Sequence, residues 1–324
     1  MKKILILGGS GFLGRHLCEK LTRLQQRVTV PTRRADHAAA IQHLPGLTVV
    51  QTDVLSDENL NTLVAGHDSV VNLVAILHGN AAAFHQMHVA LPEKLAKACM
   101  AQGVRRLVHV SALGAATHAP SMYQRSKADG EAVLQAAGLD LTLLRPSVIF
   151  GDGDHFLNVF AQLQHYLPVV PLAGAKTKFQ PVWVEDVAQA IVNCLLGSTV
   201  VPAASTVGKT YEACGPDVLT LQELVRYAGA VSGVNQGRGR AVLPLPDALA
   251  RLQVFLMSLL PGQPLISQDN LDAMKTDNIS AENLPGLVAL GINPSALAAV
   301  VPAYLGQQTH ASPYQHLRRT AGRF

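Results

Sequence analysis

The 324-residue sequence predicts an α/β fold: a doubly wound parallel sheet with helices on both faces, continued by a smaller C-terminal domain. Three observations predict it. Apolar runs of strand length alternate with segments of helical period through the first half. Several of those runs are continuous rather than alternating, as strands covered on both faces require. A glycine cluster, Gly8-Gly9-Ser10-Gly11-Phe12-Leu13-Gly14, joins the first strand to the first helix.

Taken in order, Lys3–Leu7 reads as a strand and Phe12–Leu24 as a helix. Further strands are expected at Val28–Pro31, Leu47–Thr52, Ser69–Ala75, Arg106–Val110 and Leu139–Leu144, with helices at Ala81–Gln102 and Tyr123–Ala137. Beyond Gly151 the rhythm breaks at Pro168, Pro171, Gly174 and Pro181. A helix returns at Val184–Leu196 and a strand at Thr210–Ala213. Helical pieces follow at Thr220–Ser232, Pro246–Leu260, Ser267–Lys275 and Pro294–Leu305. The expected plan is a first domain over 1–150, rejoined by 184–215. A smaller substrate or partner domain takes 151–183 and 216–310, and a flexible tail takes 311–324.

Composition narrows the function classes. With 48% hydrophobic and 15% charged residues, the chain is not disordered. Mean hydropathy is +0.22, yet no uninterrupted apolar run reaches the ~18–20 residues of a spanning helix. Met1-Lys2-Lys3 before Ile4–Leu7 has the look of a signal peptide, but the run is short and glycines interrupt it, so it reads as mature sequence. The net charge of +4 comes without a long basic run, which argues against nucleic acid; Arg318, Arg319 and Arg323 read as a solvated end. Cys18, Cys99, Cys194 and Cys214 stand far apart in apolar contexts, so buried reduced thiols and a reducing, cytoplasmic compartment are expected.

The glycine cluster satisfies G-x-G-x-x-G and G-x-x-G-x-x-G between a strand and a helix. Such a loop lets the backbone approach a pyrophosphate, which the helix N-terminus then binds. A dinucleotide is therefore expected along Gly8, Gly9, Ser10, Gly11, Phe12, Leu13 and Gly14; the plain alternative is a glycine-rich turn. The second strand ends in Pro31-Thr32-Arg33-Arg34 with no acid for a ribose 2′-hydroxyl. Two guanidinium groups suit a 2′-phosphate, so NADP(H) is favoured over NAD(H), unless Arg33 and Arg34 are merely solvated. Asp53, with Val54 beside it, either meets the adenine amino group or caps the next helix. Asn72, Val74 and Ala75 close the fourth strand, where backbone passes along the cofactor.

Tyr123 and Lys127, at i and i+4, share a helix face, and Ser111 ends the fifth strand. An ammonium near a phenol is expected to lower the phenol's pKa toward neutrality, so Tyr123 would exchange a proton with a carbonyl or hydroxyl that Ser111 holds. The alternative is an exposed Tyr–Lys pair.

On these residues the chain resembles the extended or atypical short-chain dehydrogenases/reductases, the epimerase/dehydratase-like group. The resemblance runs over most of the chain and takes in Arg145–Gly151 and Val182–Ala188. Within the group the chain is most similar to the nucleotide-binding accessory subunits of respiratory complex I and their bacterial relatives, through His109–Ala115, Ser126–Glu131, Leu265–Met274 and Asp277-Asn278. The resemblance implies a Rossmann fold and Ser111, Tyr123 and Lys127 as a catalytic triad. It also implies Lys127 on the nicotinamide ribose and Pro146 among the cofactor residues. His88 stands where extended members often carry Asn, and Arg145 reads as structural.

Thirteen histidines raise metal binding, and His85 and His88 stand at i and i+3. No third ligand accompanies them, so no metal is expected. The apolar segment 246–266 reads as a core helix, or else as a lid over a lipophilic substrate, a partner surface or a face peripheral to a membrane. The leading expectation is an oxidoreductase acting on a carbonyl or alcohol of a lipophilic or quinone-related small molecule. The rivals are a non-catalytic NADP(H)-binding accessory protein of a respiratory complex and a nucleotide-sugar epimerase or dehydratase.

Overall fold

The computed structural model describes residues 1–258 and 266–306, and the tail expected at 311–324 lies outside them. The chain divides into two compact units. The first comprises Met1–Ser147, Val184–Cys214 and Ser280–Pro294, and the second Val148–Trp183, Gly215–Ile279 and the chain from Ser295. The stretch 280–294 was expected in the second domain. It joins the first because Glu212 N donates to Pro285 O at 3.0 Å and Asn193 Nδ2 to Leu290 O at 2.9 Å.

The first unit runs β1 (Lys3–Leu7), α1 (Phe12–Arg23), β2 (Arg27–Thr32), β3 (Leu47–Gln51), α2 (Asp57–Val64) and β4 (Ser69–Asn72). It continues through α3 (Ala81–His85), a π-helical turn (Gln86–Ala90), α4 (Leu91–Ala101), β5 (Arg106–Val110), α5 (Met122–Ala136) and β6 (Asp140–Pro146). It closes with α6 (Val184–Leu196) and β7 (Thr210–Ala213). These form one seven-stranded sheet in the order β7-β6-β5-β4-β1-β2-β3. Every pairing is parallel. The order reverses between β1 and β4, so the crevice beyond their carboxyl ends is where such a sheet binds ligands. One face packs Leu5, Leu7, Val70 and Leu107 of the strands on Leu60, Leu91, Leu95 and Leu134 of the helices.

Ion pairs tie helices to the sheet and to each other. Arg145 on β6 makes a two-pronged contact with Glu131 on α5, at 2.9 and 2.5 Å, and Glu131 is buried. Its role is therefore structural, as the sequence suggested. Glu185 on α6 takes His16 at 2.5 Å and Lys20 at 2.7 Å from α1, and these partners, the His16 hydrogen bond first, hold its carboxyl down at about 2.

The four cysteines are buried free thiols. Burial pushes each of them from 9.0 up to about 12. A raised folded-state pKa stabilises fully below the unfolded value and is lost as pH rises through the folded one, at about 1.4 kcal/mol per pH unit for each thiol. Urea midpoints are expected to fall steeply above about pH 9 and less steeply in the Cys99→Ala/Cys194→Ala double variant. Parallel profiles for the two proteins would contradict this.

The second unit packs helices Leu157–Tyr166 and Leu221–Val231 over short strand pairs. Ile149–Phe150 lies parallel to Val182–Trp183, and Val169–Leu172 parallel to Ala241–Pro244. Its core gathers Phe150, Leu157, Val170, Phe179, Leu224 and Val301. The helix expected at Pro246–Leu260 is Asp247–Ser258, with Leu249 and Leu252 exposed; residues 259–265 of the apolar segment lie outside the described residues. Among the described residues no helix is long and apolar enough to cross a membrane.

Candidate active site

β1 delivers the chain to Gly8, whose φ of +80° is the left-handed backbone that side chains other than glycine's disfavour. A Cβ on Gly9 would stand 2.7 Å from a Val30 methyl on β2. One on Gly14 would stand 2.6 Å from the Gly9 backbone and closer still to Gly8 O. Helix α1 starts after Gly11 with no side-chain cap and no acid in its first turn. Its leading N–H groups and the positive end of its dipole are thus left for an anion.

Beside this loop lies a cleft of about 170 Å³, lined by Gly8, Ser10, Arg33, Asp53, Val54 and Val74 from the expected set. Pro31, Thr32, His37, Thr52, Leu55 and Met87 complete it and were missed. His37 and Leu55 carry no local pattern that marks them, whereas Thr32 and Thr52, at the strand ends beside Arg33 and Asp53, were open to inference. The cradle and its arginine fit a dinucleotide.

Other expected cofactor residues make contacts within the protein. Arg34 is turned to Asp36, with contacts of 3.2 and 2.7 Å, whereas Arg33 lines the cleft. The buried Asn72 does not line the cleft. Its Oδ1 accepts from Val74 N at 3.1 Å and its Nδ2 donates to His109 Nδ1 at 3.1 Å, so it shapes the loop after β4. Asp53 Oδ1 accepts from Leu55 N at 3.0 Å, and the cap of α2 is Ser56, not Asp53. Phe12 packs edge-on against His16 and Leu13 is buried. Pro146 O accepts from Leu113 N at 2.9 Å, and neither Pro146 nor Ala75 lines the cleft.

The Ser111 hydroxyl, at the carboxyl end of β5, is buried and finds no hydrogen-bond partner among the described residues. Lys127, 1% exposed, donates from Nζ to Val110 O on the same strand end at 2.8 Å. Ser121 caps α5 and starts the turn that carries the half-buried Tyr123. The expected drop of the Tyr123 pKa is overturned: burial pushes the phenol up to about 12. The ammonium meant to lower it is engaged by a carbonyl, and burial brings Lys127 down to about 8.

The residue that sequence reasoning left without a role is His88. Its Nε2 accepts from Ile76 N at 3.1 Å. Its Nδ1 lies 2.8 Å from Ser126 Oγ, which itself donates to Tyr123 O at 2.8 Å, so Nδ1–H is the donor. Burial first, and then the Lys127 charge, hold His88 down at about 3, a neutral imidazole. Among the described residues no three His, Cys, Asp or Glu gather to hold a metal.

Residues 8–197 match the family model described as NAD(P)H-binding. The chain belongs to this NAD(P)H-binding family. It is 33% identical to the mouse (Mus musculus) protein named NADH dehydrogenase (ubiquinone) 1 alpha subcomplex subunit 9, mitochondrial, over 90% of this chain and 76% of that one. It is 28% identical to the 2-alkyl-3-oxoalkanoate reductase of Stenotrophomonas maltophilia, over 71% and 76%. The fold matches the dTDP-glucose 4,6-dehydratase of Streptomyces venezuelae with a TM-score of 0.73, at 20% identity, over 96% of this chain and 98% of that one. The family bears out the expected NAD(P)H-binding domain, and the solved structure the expected Rossmann fold.

Proposed function

We propose that this NAD(P)H-binding chain is an oxidoreductase of the short-chain type that reduces the carbonyl of a lipophilic small molecule, with NADP(H) as the preferred dinucleotide. The Ser111 hydroxyl carries the proposal. A buried, unsatisfied hydroxyl costs about 1–3 kcal/mol, and this one directly follows Val110, whose carbonyl Lys127 holds. A substrate oxygen would satisfy it. When bound, a reduced nicotinamide dinucleotide supplies the hydride. With its pKa raised to about 12 by burial, Tyr123 is a neutral phenol at pH 7, and its role in this reading is to donate a proton to the carbonyl oxygen. Lys127 braces the strand end that presents Ser111. The similarity to a named 2-alkyl-3-oxoalkanoate reductase supports a 2-alkyl-3-oxoalkanoate as the substrate class.

Arg33 is the residue we assign to the 2′-phosphate, since it lines the cleft and Arg34 is spoken for. Arg33→Ala is expected to weaken NADPH binding about tenfold or more, the worth of one charge-assisted bond, and to leave NADH binding almost unchanged. Equal losses for both cofactors in a calorimetric titration would overturn the preference.

A second reading has its own support. The mouse relative is named as a subunit of NADH dehydrogenase. In that reading the chain holds its dinucleotide structurally and docks on a membrane-bound respiratory complex. Co-purification with such a complex, without NADPH oxidation against any carbonyl, favours it over the enzyme.

A further inference from the structure

We propose that His88 is a positioning residue that ties the loop beside the dinucleotide cleft to the helix turn bearing Tyr123, so that the placement of the phenol depends on the state of the cleft. The consequence for turnover rests on the reductase reading above; the tie itself does not.

Two paths lead from the cleft to His88. Val74 lines the cleft, and two residues on, Ile76 N–H donates to His88 Nε2. Met87 also lines the cleft and directly precedes His88 on the π-helical turn Gln86–Ala90. Such turns insert an extra residue into a helix and recur at functional sites. Here the turn aims neighbouring side chains to opposite sides: Met87 to the cleft, His88 to the interior. From His88 two contacts reach Tyr123. Nδ1–H donates to Ser126 Oγ, which donates on to Tyr123 O. The imidazole also stands edge-on to the phenol ring, 5.5 Å between centroids at 83°, with Phe84 completing the cage at 6.2 Å. Helix α5 is pressed close to the turn, because a Cβ on Gly130 would overlap His88 O. With one nitrogen accepting from the loop and the other donating to the helix, the ring is held at both ends and does not act as an acid or base.

The two nitrogens can be tested apart. Asparagine at this position reaches the place of Nδ1 and glutamine the place of Nε2. His88→Asn keeps a donor for Ser126 and loses the acceptor for Ile76. It is expected to weaken NADPH binding about tenfold, one hydrogen bond's worth, with a loss of kcat smaller than that of His88→Gln. His88→Gln keeps the Ile76 acceptor and loses the Ser126 donor. It is expected to leave the NADPH Kd almost unchanged and to cut kcat about tenfold. A readout free of turnover accompanies these. In protein labelled with fluorotyrosine, with the Tyr123 signal assigned by Tyr123→Phe, saturating NADPH is expected to shift that signal in the wild type and much less in His88→Phe.

Wild-type values of Kd and kcat in both His88→Asn and His88→Gln would overturn the proposal. So would a Tyr123 signal that NADPH leaves unmoved in the wild type, or moves equally in every variant. If His88→Phe does not fold, the Asn and Gln pair decides. If the wild type reduces no carbonyl offered to it, the reductase reading falls, while the NADPH affinities and the fluorine shift still decide the role of His88.

Discussion

Tyr123→Phe is expected to lower turnover by about 10²–10⁴-fold, the usual worth of a placed proton donor, with the NADPH Kd unchanged. The substitution removes one oxygen and keeps the ring. The edge-on contacts with His88 and Phe84 are contacts of the ring, so the cage survives. The bond that Ser126 donates goes to the backbone carbonyl of Tyr123 and survives as well. Lys127 is anchored on Val110 O, not on the phenol, so its position is independent of the change. Under the proposed reductase reading, the substitution also removes the proton that Tyr123 would give to the carbonyl oxygen. Steady-state NADPH oxidation with a 2-alkyl-3-oxoalkanoate, beside a binding titration, measures both quantities. Turnover equal to wild type would remove Tyr123 from the mechanism.

Gly14→Ala is expected to weaken NADPH binding about 100-fold or more, equivalent to roughly 2.7 kcal/mol, and to destabilise the first unit by about 1–3 kcal/mol through overpacking. The new methyl group meets backbone only, Gly8 O and the Gly9 Cα and C, so no side chain can swing aside. Either the loop from Gly8 shifts or α1 lifts from it, and both spoil the approach to a pyrophosphate at the helix N-terminus. Gly11→Ala is the internal comparison. Its Cβ comes no nearer than 3.2 Å to Gly8 O, so a smaller loss is expected. Melting curves run alongside separate lost affinity from lost fold. Unchanged NADPH affinity in folded Gly14→Ala would place the pyrophosphate elsewhere.

The fold was legible because its signals are local. Continuous apolar runs and a glycine loop between strand and helix are properties of short windows, and the strands lie within one or two residues of expectation at most of their ends. The exception at β4 is instructive. The run to Ala75 is apolar enough for strand, but Asn72 turns back on Val74 N and ends the ladder there. The helix expected at Ala81–Gln102 has the right extent, yet its periodicity does not disclose the π-helical turn at its middle. Within that turn His88 meets Ser126, 38 residues away. The electrostatic reading of the site failed for the same reason. An i, i+4 spacing places Lys127 and Tyr123 on one face, but whether the ammonium turns to the phenol is decided by Val110 O across the sheet edge. Arg34 is different: its partner Asp36 is two residues away and was open to inference, had the reading not stopped at the strand end.

The central claim is that Ser111, Tyr123 and Lys127 reduce a carbonyl with a dinucleotide held along Gly8–Gly14. The most direct test offers the intact protein NADPH deuterated at the transferable nicotinamide position together with 2-alkyl-3-oxoalkanoates, and follows the label by mass spectrometry. One deuterium in the alcohol product with the wild type, and label transfer slowed about 10²–10⁴-fold with Tyr123→Phe, is the predicted result. Label that stays on a tightly bound NADPH, whatever carbonyl is offered, would contradict it.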